Sequence, residues 1–156
     1  MFLFSEMGLC QPDGTQQWDV VGDTFPVGCK FCPRTNIYPG SFAANPDTRD
    51  SRYNTQLGVY TEGCGMDNVM LSWGHDEYMY HVLKDPINEC KLPREALAVV
   101  RYHSFYPWHR EGGYMHLMGE GDEEMLQWVR EFNPFDLYSK TEEVVDVEKL
   151  KVSCCD

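Results

Sequence analysis

From about residue 66 onward, apolar side chains recur at helical intervals. Leu71, His75, Tyr78, Met79 and Val82 fall on one face of a helix that ends near Lys84, before Asp85-Pro86. Asp67 suits the N-terminus of that helix as a cap or as a charge on its dipole. A second helix opens with Pro93 and runs through Glu95 toward Phe105, with Ala96, Val99, Val100 and His103 on its inner stripe. Pro107 stops it. A third helix starts near Asp122, with Glu123 and Glu124 in its first turn, and carries Met125, Leu126, Trp128, Val129 and Phe132. Asn133-Pro134 breaks it, and a short helical turn holds Phe135-Asp136-Leu137-Tyr138. The tail from Thr141 is acidic, then lysine-containing, with one short helix around Val145–Leu150.

Residues 10–64 have a different rhythm. Pro12-Asp13-Gly14, Cys32-Pro33, Tyr38-Pro39-Gly40, Asn45-Pro46-Asp47 and Glu62-Gly63 all punctuate the chain. Between them only Trp18-Asp19-Val20-Val21 suggests a short extended piece. A loop region this long within a compact domain is usually functional or packed over a site. The expected fold is all-α, with a long loop-rich N-terminal segment and no internal repeats.

Composition narrows the function classes. The chain has 156 residues, which fits one domain, and 42% are hydrophobic, enough for an ordinary core. A formal charge of −12 excludes nucleic acid and anionic membrane as natural partners. No apolar run approaches the roughly 20 residues that span a bilayer. Met1-Phe2-Leu3-Phe4 lacks a basic flank and is followed by an acid, so it is a poor signal peptide and a cytoplasmic location is expected. The seven cysteines show no disulfide spacing. Cys29-x-x-Cys32 has zinc-knuckle spacing without a matching second pair, and free, partly buried thiols are the better reading.

The candidate chemistry lies in two histidines. His75 stands nine residues before Lys84, about 14 Å at the rise of an α-helix. His103 stands ten residues after Pro93, about 15 Å by the same rise. An antiparallel pair would therefore bring both imidazoles to one level of one interface. Either alone reads better as a core histidine satisfied by one hydrogen bond; the two together, with carboxylates nearby, read equally as metal ligands. Asp136, set among Phe132, Phe135, Leu137 and Tyr138, is the candidate third ligand, because a buried carboxylate needs a cation, a metal or several donors. Its alternative reading is a helix cap. His81, His109 and His116 lie in more polar surroundings and read as surface residues. Asp76 points about 100° away from His75 and suits either outer-shell support or solvent. Two His and one carboxylate suit iron, zinc or manganese rather than copper(I).

Longer stretches around these residues resemble the myo-inositol oxygenase family. They are Val20-Val21-Gly22-Asp23-Thr24-Phe25-Pro26-Val27-Gly28-Cys29, Ser72-Trp73-Gly74-His75-Asp76-Glu77-Tyr78-Met79-Tyr80, His103-Ser104-Phe105-Tyr106-Pro107-Trp108-His109 and Trp128-Val129-Arg130-Glu131-Phe132-Asn133-Pro134-Phe135-Asp136-Leu137-Tyr138. The resemblance covers roughly residues 17–150, in the family's order, with two residues inserted around Asp85–Cys90. It implies a partial HD-domain-type helical fold over residues 1–150, followed by a divergent tail at 151–156. It further implies a monomeric enzyme with two irons per site that cleaves myo-inositol with O2 to give D-glucuronate. By that resemblance His75 and His103 bind one iron and Asp136 the other. Gly22, Asp23, His103 and Ser104 contact the inositol hydroxyls.

The resemblance also implies ligands that this sequence does not supply. The family's first His, its bridging His-Asp pair and a substrate-binding Lys lie upstream, whereas the first histidine here is His75. The expectation is a fragment, alternative transcript or incomplete gene model with exposed apolar surface and marginal stability. The alternative to an active oxygenase is a truncated non-catalytic form, binding at most one metal or associating with a full-length partner. A phosphohydrolase of the wider HD-domain superfamily ranks last, because Lys84, Arg101 and Arg130 form no phosphate-binding cluster.

Overall fold

A computed structural model describes residues 24–33 and 39–136. Four α-helices carry the architecture: α1 (His75–Lys84), α2 (Arg94–Tyr102), the single turn α3 (Tyr106–His109) and α4 (Asp122–Asp136). Short 3-10 turns at Pro39–Ala44, Pro46–Arg49, Met66–Asn68, Pro86–Asn88 and Met115–Leu117 join them. Among the described residues the only extended pairing is an isolated antiparallel bridge between Pro26 and Leu71. The described chain is therefore all-α, as the periodicity predicts. The expected extended piece at 18–21 and the expected helix around 145–150 lie outside the described residues.

Helix ends follow the punctuation. Asp85 closes α1 by donating its N–H to the carbonyls of His81 and Val82, and its carboxylate then caps the next turn at the Ile87 N–H. Pro93 precedes α2, and Asp122, Glu123 and Glu124 fill the first turn of α4. Asp122 does more than balance the dipole: its Oδ2 accepts from the N–H groups of Met66 (2.7 Å) and Gly119 (2.8 Å), which fastens two loops to the start of α4.

Several sequence expectations need correction. The first helix does not begin near residue 66. Met66–Asn68 is a 3-10 turn, Leu71 lies in the bridge to Pro26, and α1 begins at His75. α2 ends at Tyr102 rather than near Phe105, and Pro107 sits inside α3 instead of stopping α2. Asn133-Pro134 does not break α4, which runs through to Asp136. Near a helix end the missing proline N–H forfeits one bond, and the last turn still closes.

The packed faces also differ from the expected stripes. Tyr78 and Met79 are exposed, while α1 buries Asp76, Glu77 and Tyr80. α2 buries Ala98, Arg101 and Tyr102. The core proper is built from Met66, Val69, Leu71, Phe105, Trp108, Leu117, Leu126 and Val129 together with Ala98 and Tyr102. Trp73, Ile87 and Phe135 leave apolar surface open to solvent.

The described part of the loop-rich segment packs as a layer over the helices. Phe25, Phe31 and Phe42 form an aromatic cluster with ring centroids 4.4–5.2 Å apart. Lys30 N–H donates to Thr55 O, Val59 N–H to Gly28 O and Cys32 N–H to the Tyr114 hydroxyl. At Gly58 (φ +57°) the chain crosses so closely that a Cβ would stand 1.9 Å from Gly28 O. Cys29 is buried in this layer, and burial, with the nearby Cys64, pushes its thiol up to about 11.

Candidate metal centre

α1 and α2 lie antiparallel, and the polar residues between them set their register. Arg101 donates from Nε to Glu77 Oε2 (2.7 Å) and from Nη2 to Glu77 Oε1 (2.9 Å). Its remaining donors reach Met66 O, Val69 O and the Tyr102 hydroxyl. Burial works against the charged guanidinium, and the hydrogen bonds and charge of Glu77 outweigh it, so the Arg101 pKa is raised. The five-donor fork lets a carboxylate and a cation both sit inside. That is why the charged face of α1 turns inward and its Tyr78 and Met79 face outward.

Glu77 lies two residues after His75, and Arg101 lies two residues before His103. Both pairs therefore belong to the same antiparallel register. His75 is the first residue of α1 and His103 is the C-cap of α2, so they meet at helix ends and not in mid-face. Their Nε2 atoms are 3.0 Å apart and their ring centroids 5.1 Å apart. The level predicted from helix lengths is the level at which they meet.

His103 is oriented from behind. Its Nδ1 lies 2.9 Å from Val100 O and 3.2 Å from Val99 O. A carbonyl only accepts, so Nδ1 carries the proton and Nε2 presents its lone pair toward His75. Ser104 follows in the same turn, half-buried.

Asp136 is not drawn into this pair. It ends α4 half-buried rather than enclosed, and its Oδ2 accepts from the Tyr106 hydroxyl at 3.4 Å. Among the described residues no group of three or more His, Cys, Asp or Glu is gathered tightly enough to hold a metal ion. Gly22 and Asp23 lie outside the described residues.

Two neighbours sit differently from a surface reading. Asp76 does not face solvent. It is buried, accepts from the Thr24 hydroxyl at 2.9 Å through Oδ2, and takes the Glu77 N–H on Oδ1. His109 is not a surface residue: it is 2% exposed, and its Nε2 donates to His103 O at 3.0 Å. Burial lowers its pKa. No local pattern marks His109, because what encloses it arrives from α4, where Arg130 Nε donates to His109 O at 2.7 Å. His116 is half-buried, with Nε2 3.1 Å from Gln56 O, while His81 is exposed as expected.

The sequence has counterparts among known proteins. Residues 6–154 match the family model described as "Myo-inositol oxygenase", beyond the motifs quoted above at both ends. An inositol oxygenase of Danio rerio is 54% identical over 135 residues, covering 86% of this chain and 48% of the relative. One from Dictyostelium discoideum is 57% identical, covering 86% and 45%. One from Homo sapiens is 52% identical over 138 residues, covering 88% and 48%. The chain thus spans a little under half the length of the curated relatives it matches, and it belongs to the myo-inositol oxygenase family.

Proposed function

We propose that this chain contributes to the cleavage of myo-inositol by O2 to D-glucuronate, in inositol catabolism, at a non-haem di-iron centre of an HD-domain-type fold. The observation that carries the reading is the convergence of His75 and His103. Two imidazoles on adjacent corners of one octahedral metal, with metal–nitrogen bonds of about 2.1 Å, have their nitrogens about 3 Å apart, against about 3.4 Å at a tetrahedral one. The 3.0 Å Nε2–Nε2 separation fits that requirement. So does the anchoring of His103 Nδ1 on a backbone carbonyl, the usual outer-shell support of a metal-binding histidine.

In this reading His75 and His103 hold one iron and Asp136, steadied by Tyr106, holds the other. Bound iron supplies the activation of O2 and a Lewis-acid hold on a substrate oxygen. The chain's own residues orient the partners of that chemistry. Val99 and Val100 fix the His103 ring, and the turn that carries His103 also offers Ser104 to an inositol hydroxyl. Gly22 and Asp23 complete the contacts with inositol. A charge of −12 favours a small neutral substrate over polyanions and fits a cytoplasmic monomer. No helix among the described residues is long and apolar enough to cross a membrane.

Anaerobic loading with ferrous iron, followed by inositol and O2, tests the reading. His75→Ala and His103→Ala should each weaken iron binding, and the loaded parent chain should form glucuronate. Iron binding unchanged in both variants would overturn the ligand assignment. Binding of one iron or less with no glucuronate would identify a non-catalytic binding form instead.

A further inference from the structure

We infer that His109 is a positioning residue for His103, held in place from α4 by Arg130. The inference rests on the metal reading of His103 and extends it to residues that touch neither iron nor substrate.

The last carbonyls of an α-helix have no intrahelical donor. His103 is the C-cap of α2, and its carbonyl is one of these orphans. His109 fills it, with Nε2 3.0 Å from His103 O. Because the carbonyl can only accept, Nε2 carries the proton. The His103 peptide plane is thus fixed from the α3 side, while its ring is fixed by Val99 and Val100. Backbone and ring are pinned independently, which leaves Nε2 a single direction.

The donor is itself immobilised. His109 is 2% exposed, and its own carbonyl accepts from Arg130 Nε at 2.7 Å. The Tyr106 ring packs 5.0 Å from the imidazole, and the Tyr106 hydroxyl reaches Asp136 on α4. α4 therefore fixes the His103 turn through Arg130 and holds Asp136 near the same turn. A side chain doing nothing but filling space would not need its donor aimed at the one carbonyl behind a candidate ligand.

The test uses the full chain with His109→Phe, which keeps ring bulk without a donor, and His109→Gln, which restores an N–H at a similar reach. Cobalt(II) is the metal probe, and the 15N imidazole resonances of His103 in the metal-free chain are the second readout. His109→Phe should weaken cobalt(II) binding by about tenfold, the lower end for loss of outer-shell support. It should also shift the His103 resonances, and His109→Gln should bring both back. Leu117→Ala, a core truncation, should lower thermal stability without moving the His103 resonances. Parent-like cobalt(II) affinity and resonances in His109→Phe would overturn the inference. If the parent chain binds no cobalt(II), the metal reading fails, and the metal-free resonances still decide the role of His109. If His109→Phe does not fold, exposed Arg130→Gln decides: a shift in the same direction supports the role, and unmoved resonances overturn it.

Discussion

Thr24 and Asp76 are joined by a buried 2.9 Å hydrogen bond that spans 52 residues of sequence. The bond ties the loop segment to the first turn of α1, next to His75. Around it, Ser72 N–H donates to Phe25 O (2.8 Å) and Val27 N–H to Met70 O (2.9 Å), so the loop is fastened along several residues. Thr24→Val keeps the shape and removes the donor from a buried carboxylate. It should cost about 1–3 kcal/mol in urea denaturation, with Thr24→Ser costing less. Equal stability of Thr24→Val and the parent would show that Asp76 finds another donor.

The Arg101–Glu77 pair predicts an asymmetry. Their side chains are 3% and 1% exposed, so Arg101→Met leaves a buried carboxylate with only the exposed His81 (3.1 Å) beside it and should cost about 3 kcal/mol. Replacing both, as Arg101→Met with Glu77→Leu, should cost less than Arg101→Met alone, because no charge is left unpaired. The comparison is read from the denaturation midpoints of the three chains.

Stability should fall on mild acidification, and His109 gives the sign. Burial lowers its pKa below the ordinary value of 6.5. Above that value both folded and unfolded chains carry a neutral ring, and the group contributes no pH dependence. As the pH falls below it, the unfolded chain takes up a proton that the folded chain resists, and stability is lost until the folded pKa is passed. His109→Gln should lack this component when melting temperatures are compared across pH 7 to 5.

Gly58 has φ +57°, and its would-be Cβ meets the Gly28 carbonyl oxygen. Gly58→Ala therefore combines backbone strain with a collision against main chain, and should cost more than about 1 kcal/mol. Gly40→Ala, where no atom lies within 4 Å of the added Cβ, serves as the control and should be nearly neutral.

What the sequence made readable was local. Asp85-Pro86, Pro93 and the acidic run at Asp122 mark helix boundaries that the structure keeps, and the distances from them place His75 and His103 at one level. What it hid was tertiary. Leu71 continues the apolar spacing of α1 but pairs with Pro26, so periodicity alone extends the helix too far toward its start. The buried face of α1 was inverted because periodicity counts charge as outward, and only the Arg101 fork makes an inward Glu77 tolerable. His109 looked exposed because the residues enclosing it come from α4, about twenty positions away. Pro134 looked like a break because its neighbours give no sign that one missing bond near a helix end is affordable.

The Glu77–Arg101 bridge also relieves the α1–α2 connection of a task. A slip of one turn would carry either side chain about 5.4 Å along its helix and part the two buried charges. Sliding is thus forbidden from inside the interface, whatever the length of the connection. Residues between Asp85 and Pro93 are nearly all exposed, and Ile87 at 83% is the most open large apolar side chain described. Residues can be gained or lost there while the imidazoles keep their spacing. The spacing of the imidazoles is thus independent of loop length, because Glu77 and Arg101 set it from two residues away on each helix.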